Sequence, residues 1–119
     1  MNELKEYTER LFEDIKHIDE NGNEFWYARE LMPLLEYSKW ENFNSVIQKL
    51  VLSYSNSNND DSYWFPEVRK PIITGKGKVE YIKDYKLSRH ICYLIVQNAN
   101  PRKKMVALGQ TYFAIQTRK

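Results

Sequence analysis

The chain has 119 residues, 42% of them hydrophobic and 14% aromatic, a composition that excludes general disorder and suits one globular domain over residues 1–119. The sequence has no apolar run of about 18 residues and no apolar signal core, so we expect neither a transmembrane helix nor export. Residues 1–65 hold 6 Lys and Arg against 13 Asp and Glu (−7), and residues 66–119 hold 12 against 3 (+9), which together give the net charge of +2.

The N-terminal region contains a hairpin signal. Residues 3–14 have apolar residues at helical spacing, which predicts a terminal helix, and the segment LFEDIKHI then favours an extended chain. Asn21–Gly22 is typical of a type I′ turn, in which both central residues adopt a positive φ. We therefore predict strands near 12–18 and 24–28.

A short helix is predicted over residues 28–35. Its buried side consists of Leu31, Leu34 and Leu35. Because Pro33 is tolerated only in a first helical turn, this helix must begin near Glu30 or be irregular.

A second helix is predicted to start at Lys39, because Ser38 and Glu41 have the spacing of a capping box. Its apolar stripe consists of Trp40, Phe43, Ile47 and Leu50. The two helices together are typical of a helix-turn-helix pair, and the second leaves only a narrow polar edge for a partner. That edge consists of Lys39, Asn42, Gln48 and Lys49.

A second hairpin is predicted over residues 67–85, with its turn at TGKGK, after a flexible surface loop near 53–64. Val79 and Tyr81 alternate with Glu80 and Ile82, which predicts that both faces of that strand are partly covered. Four lysines crowd this hairpin: Lys70, Lys76, Lys78 and Lys83.

Two helices are predicted to close the chain. The apolar stripe of the first is Leu87, Ile91, Leu94 and Ile95, and that of the second is Leu108, Tyr112 and Ile115. Asn100 is a natural N-cap for the last helix, and Pro101 suits the first helical position. Gly109 costs helix stability relative to Ala, so we expect it to permit close packing. Three cations occupy the predicted first turn: Arg102, Lys103 and Lys104.

This order of elements predicts an α+β fold, with a small antiparallel sheet from two hairpins packed against about four helices. The two histidines, His17 and His90, are isolated, and the sequence has no metal-ligand spacing and no nucleotide-binding loop. We therefore expect no enzymatic activity, no cofactor and no bound metal. Cys92 is the only cysteine, which excludes an internal disulfide, and we expect a buried hydrophobe rather than a reactive thiol.

Several stretches of the chain resemble a known family. The resemblance rests on IKHIDENGNEFWYARELMPLLEYSKWENF, FPEVRKPI, YKLSRHICYLIVQN and NPRKKMVALGQTYFAIQTRK, and it covers nearly all of residues 12–119. These segments resemble the N-terminal, Bro-N-like domain of the bacterial DNA-damage-inducible protein D family, a domain similar to those of phage antirepressors and viral Bro proteins. Because family members continue past QTR, we expect this chain to lack their C-terminal region.

The resemblance implies a regulatory, non-enzymatic protein linked to the SOS response, in the bacterial cytoplasm or at the nucleoid. It also implies DNA binding, with the helix-turn-helix-like stretch at residues 28–52.

DNA is therefore the expected partner, and the basic second half of the chain suits a polyanion, although the two oppositely charged halves could also simply attract each other. The residues predicted to contact DNA are Lys39, Asn42, Gln48, Lys49, Lys70, Lys76, Lys78, Lys83, Arg102, Lys103 and Lys104. The alternative is a protein-interaction module that acts on a DNA-repair or repressor protein, which 3 Trp and 9 Tyr favour. A homo-oligomer is compatible with either function, and no membrane partner is expected.

Overall fold

The computed structural model describes residues 9–57 and 65–117, and it confirms the predicted α+β fold. In chain order, the elements of these ranges are α1 (9–14), β1 (His17–Ile18), β2 (Glu24–Tyr27), α2 (Ala28–Leu34), α3 (Trp40–Ser57), β3 (Glu67–Ile73), β4 (Val79–Leu87), α4 (Arg89–Asn98) and α5 (Lys104–Thr117). No helix in these ranges is long and apolar enough to cross a membrane.

The four strands form one antiparallel sheet in the order β1-β2-β4-β3. The two predicted hairpins are joined by a short pairing of Trp26 and Tyr27 with the end of β4. In contrast, β3 pairs with β4 over all 7 of its residues, up to the Ile73–Val79 pair beside the turn. The outer part of this pairing is therefore a two-stranded ribbon that has no neighbouring strand in the described ranges.

Both hairpins turn in the same way, and neither uses the type I′ turn predicted for Asn21–Gly22. In the first, the Gly22 N–H donates to the Asp19 carbonyl at 3.0 Å, and Gly22 alone has a positive φ, +82°. The Asp19 carboxylate accepts the Asn21 N–H at 2.9 Å, which holds Asn21 in an ordinary conformation. In the second hairpin, the Gly77 N–H donates to the Thr74 backbone carbonyl at 2.9 Å, and Gly77 has a φ of +75°. Each turn is thus a three-residue loop with glycine in the left-handed position.

The strand predicted over residues 12–18 is wrong in its first part, because residues 9–14 are helical. Phe12 is fully buried in α1, and its ring stacks on Tyr112 with 5.0 Å between centroids. The Phe12 carbonyl also accepts the Trp26 indole N–H at 2.9 Å. These contacts are made to residues distant in sequence, and only β1 remains of the predicted strand. Residues 3–8 of the predicted terminal helix lie outside the described residues.

Helix α2 begins at Ala28, so Pro33 is near its end and not in its first turn as expected. A proline there removes a backbone donor from the helix, and α2 ends at the next residue. Leu31 and Leu35 are fully buried as predicted, whereas Leu34 is only half-buried.

The capping box predicted from Ser38 and Glu41 does not form. Helix α3 begins at Trp40, and the Lys39 carbonyl accepts the Phe43 N–H of its first turn at 3.3 Å. Among the hydrogen bonds of the described residues, none joins the side chain of Ser38 or Glu41 to the helix backbone. The helix starts one residue too late for Ser38 to be its cap.

Helix α3 is also longer than predicted. It continues to Ser57, so residues 53–57 of the predicted loop are helical, while residues 58–64 lie outside the described residues. Phe43, Ile47 and Leu50 of the predicted stripe are buried. Trp40 is half-buried, so the loss of stability on its truncation is expected to be smaller than for a core tryptophan.

The core lies between the sheet and the helices. Its largest fully buried side chains are Trp26, Phe12, Phe43, Phe113, Leu31, Leu35, Ile47, Leu87, Ile91, Ile95, Val96 and Val106. The predicted stripe of α4 is buried, and of the α5 stripe Tyr112 is buried and Leu108 half-buried. The Ile115 side chain lies outside the described part of the chain.

Gly109 of α5 permits the close packing that the sequence predicts. A Cβ at this position would lie 3.2 Å from Cζ of Phe12, and 3.4 Å from both Cδ2 of Leu35 and Cγ1 of Val96. All three neighbours are fully buried, so none of them has room to retreat.

A charged cluster closes one side of the core, where β2, α4 and α5 meet. Arg89 is 12% exposed and donates to both oxygens of Glu24, from Nε at 2.5 Å and from Nη2 at 2.9 Å. Its guanidinium lies over the rings of Trp26 and Tyr112, 4.9 and 5.1 Å from their centroids. The hydrogen bond from Arg89 keeps the pKa of Glu24 below its usual 4.5. Burial raises the pKa of Tyr112, whose hydroxyl bonds to Glu13.

Substitution of Gly109 by Ala tests the close approach at α5. Ala gains about 1 kcal/mol of helix propensity over Gly, but overpacking in a tight core costs about 1–3 kcal/mol. We expect Gly109→Ala to lower the free energy of unfolding by about 1 kcal/mol in urea denaturation. Thr111→Ala, on the exposed side of α5, is the control and is expected to be neutral or slightly stabilising. A Gly109→Ala variant more stable than the parent would contradict the packing described.

Candidate nucleic-acid interface

The outer part of the β3–β4 ribbon, residues 70–82 and here called the arm, projects from the sheet. Two backbone hydrogen bonds at the ends of the ribbon show which residues pair. The Lys86 N–H donates to the Pro66 carbonyl at 3.1 Å, and the Thr74 N–H donates to the Lys78 carbonyl at 2.9 Å. Because an antiparallel ladder alternates, even-numbered residues pair within the ribbon and odd-numbered residues turn their backbone groups outward. Pro71 is one of the odd-numbered residues whose backbone groups point outward, so its missing N–H removes no hydrogen bond from the ribbon.

The root of the arm is held by Asp84, the one buried charged side chain in the described ranges. Its Oδ1 accepts the N–H of Arg29 at 2.9 Å and the N–H of Tyr85 at 2.8 Å. Its Oδ2 lies 3.0 Å from Nζ of Lys70. Asp84 thus supplies the cap that Tyr27 does not provide at the start of α2, and it joins this helix to both strands of the ribbon.

Lys70 and Lys83 are both engaged within the protein. The Lys70 ammonium lies between Asp84 and the ring of Tyr27, 3.4 Å from the ring centroid. Nζ of Lys83 lies 3.4 Å from Glu67, and the Lys83 carbonyl accepts the Arg29 Nε–H at 2.6 Å. Lys70 is half-buried in this arrangement, whereas the Lys83 side chain is 44% exposed. A phosphate at Lys70 would therefore have to replace a buried carboxylate.

The tip of the arm is different. Lys76 lies in the turn and Lys78 directly after it, and both are exposed. In the described part of the chain, neither forms an ion pair or contacts an aromatic ring. Arg69, which the sequence analysis did not select, is also exposed, and it lies opposite Lys83 at the root of the arm.

The polar residues predicted on one edge of α3 point in two different directions from the helix axis. Lys39, Asn42 and Lys49 are exposed, and Asn42 and Lys49 lie two turns apart on one face of the helix. Gln48 lies roughly 120° around the axis from Asn42, and it donates to the Tyr85 hydroxyl of β4 at 3.0 Å. The amide of Gln48 therefore helps to attach α3 to the sheet.

Trp40 shares the Tyr85 surface and is not a full core residue. The guanidinium of Arg29 lies 4.1 Å from the Trp40 ring centroid, and the Trp40 ring stacks on Tyr85 at 6.1 Å. Arg29 thus covers part of one face of the tryptophan ring, and Trp40 as a whole is half-buried.

Of the three cations predicted in the first turn of α5, only Lys104 lies there, because the helix begins at this residue; Arg102 and Lys103 precede it. Asn100 instead forms a turn, in which its side-chain oxygen accepts the Arg102 N–H at 3.0 Å. The N-terminus of α5 is capped by Glu36, whose carboxylate accepts the Met105 N–H at 2.8 Å. The cap predicted at Asn100 is therefore wrong: the helix starts four residues later.

Glu36 and Lys103 connect the end of α2 to the start of α5. Glu36 has a φ of 67°, a conformation that side-chain-bearing residues adopt rarely, and its carbonyl accepts the Lys103 ammonium at 2.9 Å. The Lys103 ammonium also lies 4.9 Å from the ring centroid of Tyr37. Arg102 and Lys104 remain exposed on either side of Lys103.

The predicted contact residues thus occupy three places: the arm and its root, the polar edge of α3, and the turn before α5 with the first residue of that helix. Four of them are engaged within the protein, namely Gln48, Lys70, Lys83 and Lys103. The other seven are exposed: Lys39, Asn42, Lys49, Lys76, Lys78, Arg102 and Lys104. Sequence reasoning missed Asp84 and Glu36, whose partners lie 55 and 69 residues away along the chain.

The described residues bear on two kinds of catalytic site, those built on a metal centre and those built on a reactive thiol. They contain no group of three or more His, Cys, Asp or Glu side chains suited to a metal ion. An open cleft of about 510 Å³ lies at the start of α4, lined in part by Phe25, Phe65 and Lys86, but its Arg89 is already bound by Glu24. Complete burial raises the pKa of Cys92 well above its usual value, which confirms the prediction of a buried hydrophobe.

Comparisons with known proteins agree with the resemblance. The family model described as "BRO family, N-terminal domain" matches residues 14–114. DNA damage-inducible protein D of Escherichia coli (strain K12) is 44% identical over 108 residues, which are 91% of this chain and 39% of that protein. The chain therefore spans well under half the length of this relative. No solved structure matches the chain.

The different positions of Lys70 and Lys76 give a direct test of the arm's root. Lys70→Gln leaves the buried Asp84 without its cation, and we expect it to lower the free energy of unfolding by about 1–3 kcal/mol. Lys76→Gln, at the exposed tip, is the matched control and is expected to change it by less than about 0.5 kcal/mol. Urea denaturation measures both. Equal stabilities of the two variants would show that the Lys70–Asp84 pair does not hold the root.

Proposed function

Because the chain belongs to the family of BRO N-terminal domains, we propose that it binds duplex DNA. We further propose that it serves as the DNA-contacting part of a regulatory protein in the DNA-damage response, in line with the name of its relative in Escherichia coli. The observation that carries the proposal is the projecting arm with two exposed lysines, Lys76 and Lys78, at its tip.

A two-stranded ribbon has suitable dimensions for DNA. Two-stranded β-ribbons and sheets enter either the major or the minor groove of duplex DNA in known DNA-binding proteins. The outer arm has no further strand on either side in the described ranges, so it can approach a duplex without the body of the domain colliding with it. Lysines at the tip then meet the phosphates first, and phosphate contacts supply most of the sequence-independent affinity.

The other exposed residues give a second and a third line of contact. Lys39 and Lys49 flank Asn42 on the edge of α3, and Arg102 and Lys104 lie in and after the turn before α5. Lys103 is anchored to Glu36 and Tyr37, and Tyr37 lies only two residues before Lys39. The start of α3 and the turn before α5 are therefore close together, and we propose that they form one phosphate-binding edge. Asn42 is the residue in this edge suited to a base.

The buried stripe of α3 limits what this helix contributes. Phe43, Ile47 and Leu50 face the core, and the amide of Gln48 is bonded to Tyr85. Of the candidate contact residues on this helix, only Asn42 and Lys49 are therefore both exposed and, within the described ranges, unengaged. We propose that α3 adds sequence preference through Asn42, while the arm and the turn before α5 supply the affinity.

A second function has an observation in its favour. The arm exposes large apolar side chains, among them Ile73 and Tyr81, and such surfaces often bind proteins. A protein-interaction module would keep its affinity at high salt, whereas phosphate binding weakens steeply with salt. A DNA titration over a range of salt concentrations therefore separates the two functions, because only phosphate binding gives salt-dependent binding to DNA.

The test of DNA binding is fluorescence anisotropy with duplex and single-stranded DNA over a range of salt concentrations, using the whole 119-residue chain. Lys76→Gln/Lys78→Gln should weaken binding to every sequence and flatten the log–log salt slope by about 0.9 for each phosphate that the variant no longer neutralises. Asn42→Ala should leave the slope unchanged and reduce any preference between sequences.

Arg10→Gln is the matched control, because Arg10 is an exposed cation on α1, outside the proposed interface. It should bind like the parent. If the double lysine variant has the affinity and salt slope of the parent, the arm is not the DNA surface. If the parent binds neither duplex nor single-stranded DNA even at low salt, the protein-interaction function replaces DNA binding.

A further inference from the structure

The arm carries an apolar surface that the core does not use. The exposed fractions of its large apolar side chains are 78% for Ile73, 63% for Tyr81, 54% for Val79 and 39% for Ile72. The sequence pattern predicted that both faces of β4 would be partly covered, but Val79, Glu80 and Tyr81 are all exposed. That prediction is wrong for the outer half of the strand, because neither a helix nor a strand packs there in the described ranges.

The side chains on one face of the arm change from apolar to basic along its length. Residues that pair directly across an antiparallel ribbon share a face, so Ile73 lies beside Val79, and Pro71 beside Tyr81. The next pair on this face, Arg69 and Lys83, lies about 13 Å behind the first, at about 3.3 Å per residue. The face therefore runs from an apolar end beside the turn to a basic pair at the root.

An isolated two-stranded ribbon is marginally stable in water, so its apolar end needs a partner that covers it. Phosphates cannot do so, because they offer no apolar surface. The apolar end also lacks an amide or guanidinium that could read base edges in the major groove, since Ile73, Val79, Pro71 and Tyr81 occupy it. Thymine methyl groups in the major groove offer such side chains only small apolar contacts, so the interior of the base stack is the larger apolar surface of DNA.

We propose, on the basis of the DNA binding proposed above, that the Ile73–Val79 pair is a wedge that enters a base step and bends the duplex. Side chains of this type partly unstack base steps from the minor groove, and the bend brings more phosphates to the protein. Lys76 lies in the turn next to the wedge and Lys78 directly after it, where they meet the flanking phosphates. Arg69 meets a phosphate that the bend brings toward the root.

Charge favours DNA over a second copy of this chain as the occupant. Residues 69–83 contain five cations, Arg69, Lys70, Lys76, Lys78 and Lys83, and one anion, Glu80. Two arms packed face to face would place like charges together, whereas a polyanion is complementary to them. Strand addition by a peptide is disfavoured at the β3 edge, because Pro71 presents no N–H where the edge turns outward.

The bend angle of the bound duplex tests the wedge. It is measured by fluorescence resonance energy transfer between dyes at the two ends of the duplex. The parent chain should shorten the end-to-end distance, and Ile73→Ser/Val79→Ser should abolish this change. Affinity should fall by about tenfold, because two apolar side chains lose their burial. The log–log salt slope should flatten by no more than about 0.9, because only the phosphate that the bend brings to Arg69 is lost, while Lys76 and Lys78 keep their contacts. Ile72→Ser, on the opposite face of the arm, is the matched control and should bend DNA like the parent.

A second measurement needs no variant. 2-Aminopurine placed at a flexible TA step should become brighter when the parent chain binds, because its base is unstacked. Salt-dependent binding without a bend and without this change would overturn the wedge and leave the proposed DNA binding in place. If the parent chain did not bind DNA at all, both the wedge and the proposed DNA binding would be wrong. If the parent is a dimer in sedimentation and Ile73→Ser/Val79→Ser is a monomer, the apolar end belongs to a second copy and the wedge is wrong.

Discussion

The buried carboxylate of Asp84 is the contact on which the position of the arm depends. It accepts one N–H from α2 and one from β4, and it pairs with Lys70 of β3, so three elements meet at one side chain. A buried charge is stable only when it is paired and hydrogen-bonded, so these partners cannot leave without a large cost. The same carboxylate fixes Lys70, which removes this lysine from the set of cations that are free to meet a phosphate.

Beyond Asp84 the ribbon has no support from the core, and its properties change within a few residues. Val68 is half-buried and pairs with Asp84, whereas Ile73 and Val79 near the turn are largely exposed. Glycine at the left-handed position of the turn keeps the two strands close together up to the tip. The domain therefore presents a ribbon that is rigid at its root and uncovered at its tip. Contact with DNA through this ribbon is the proposal that joins its charge to its exposed apolar surface.

Local patterns were sufficient for part of this structure. The 67–85 hairpin, the buried stripe of α4 and the close packing at Gly109 follow from alternation, helical spacing and the cost of a helical glycine. The patterns failed where distant residues decide the structure. Two predictions overlapped at residues 12–14, a helix over 3–14 and a strand near 12–18; the helix is confirmed there, where Phe12 packs on α5 and Trp26. Helix α5 starts late, and Glu36 caps it from the end of α2. For the candidate interface, the sequence could select cations, but only the fold separates Lys70, held by Asp84, from the exposed Lys76.

Hydrogen–deuterium exchange of this chain with and without a saturating duplex tests the central claim most directly. Amides in the outer arm exchange fast when a ribbon lacks support, and those of Ile72, Thr74 and Glu80 should become protected when the arm lies on DNA. Amides of β1 and β2 should be unchanged, because these strands lie at the other end of the sheet. Slower exchange confined to β1, β2 or the start of α4, with the arm unaffected, would contradict the claim that the arm is the DNA-binding surface.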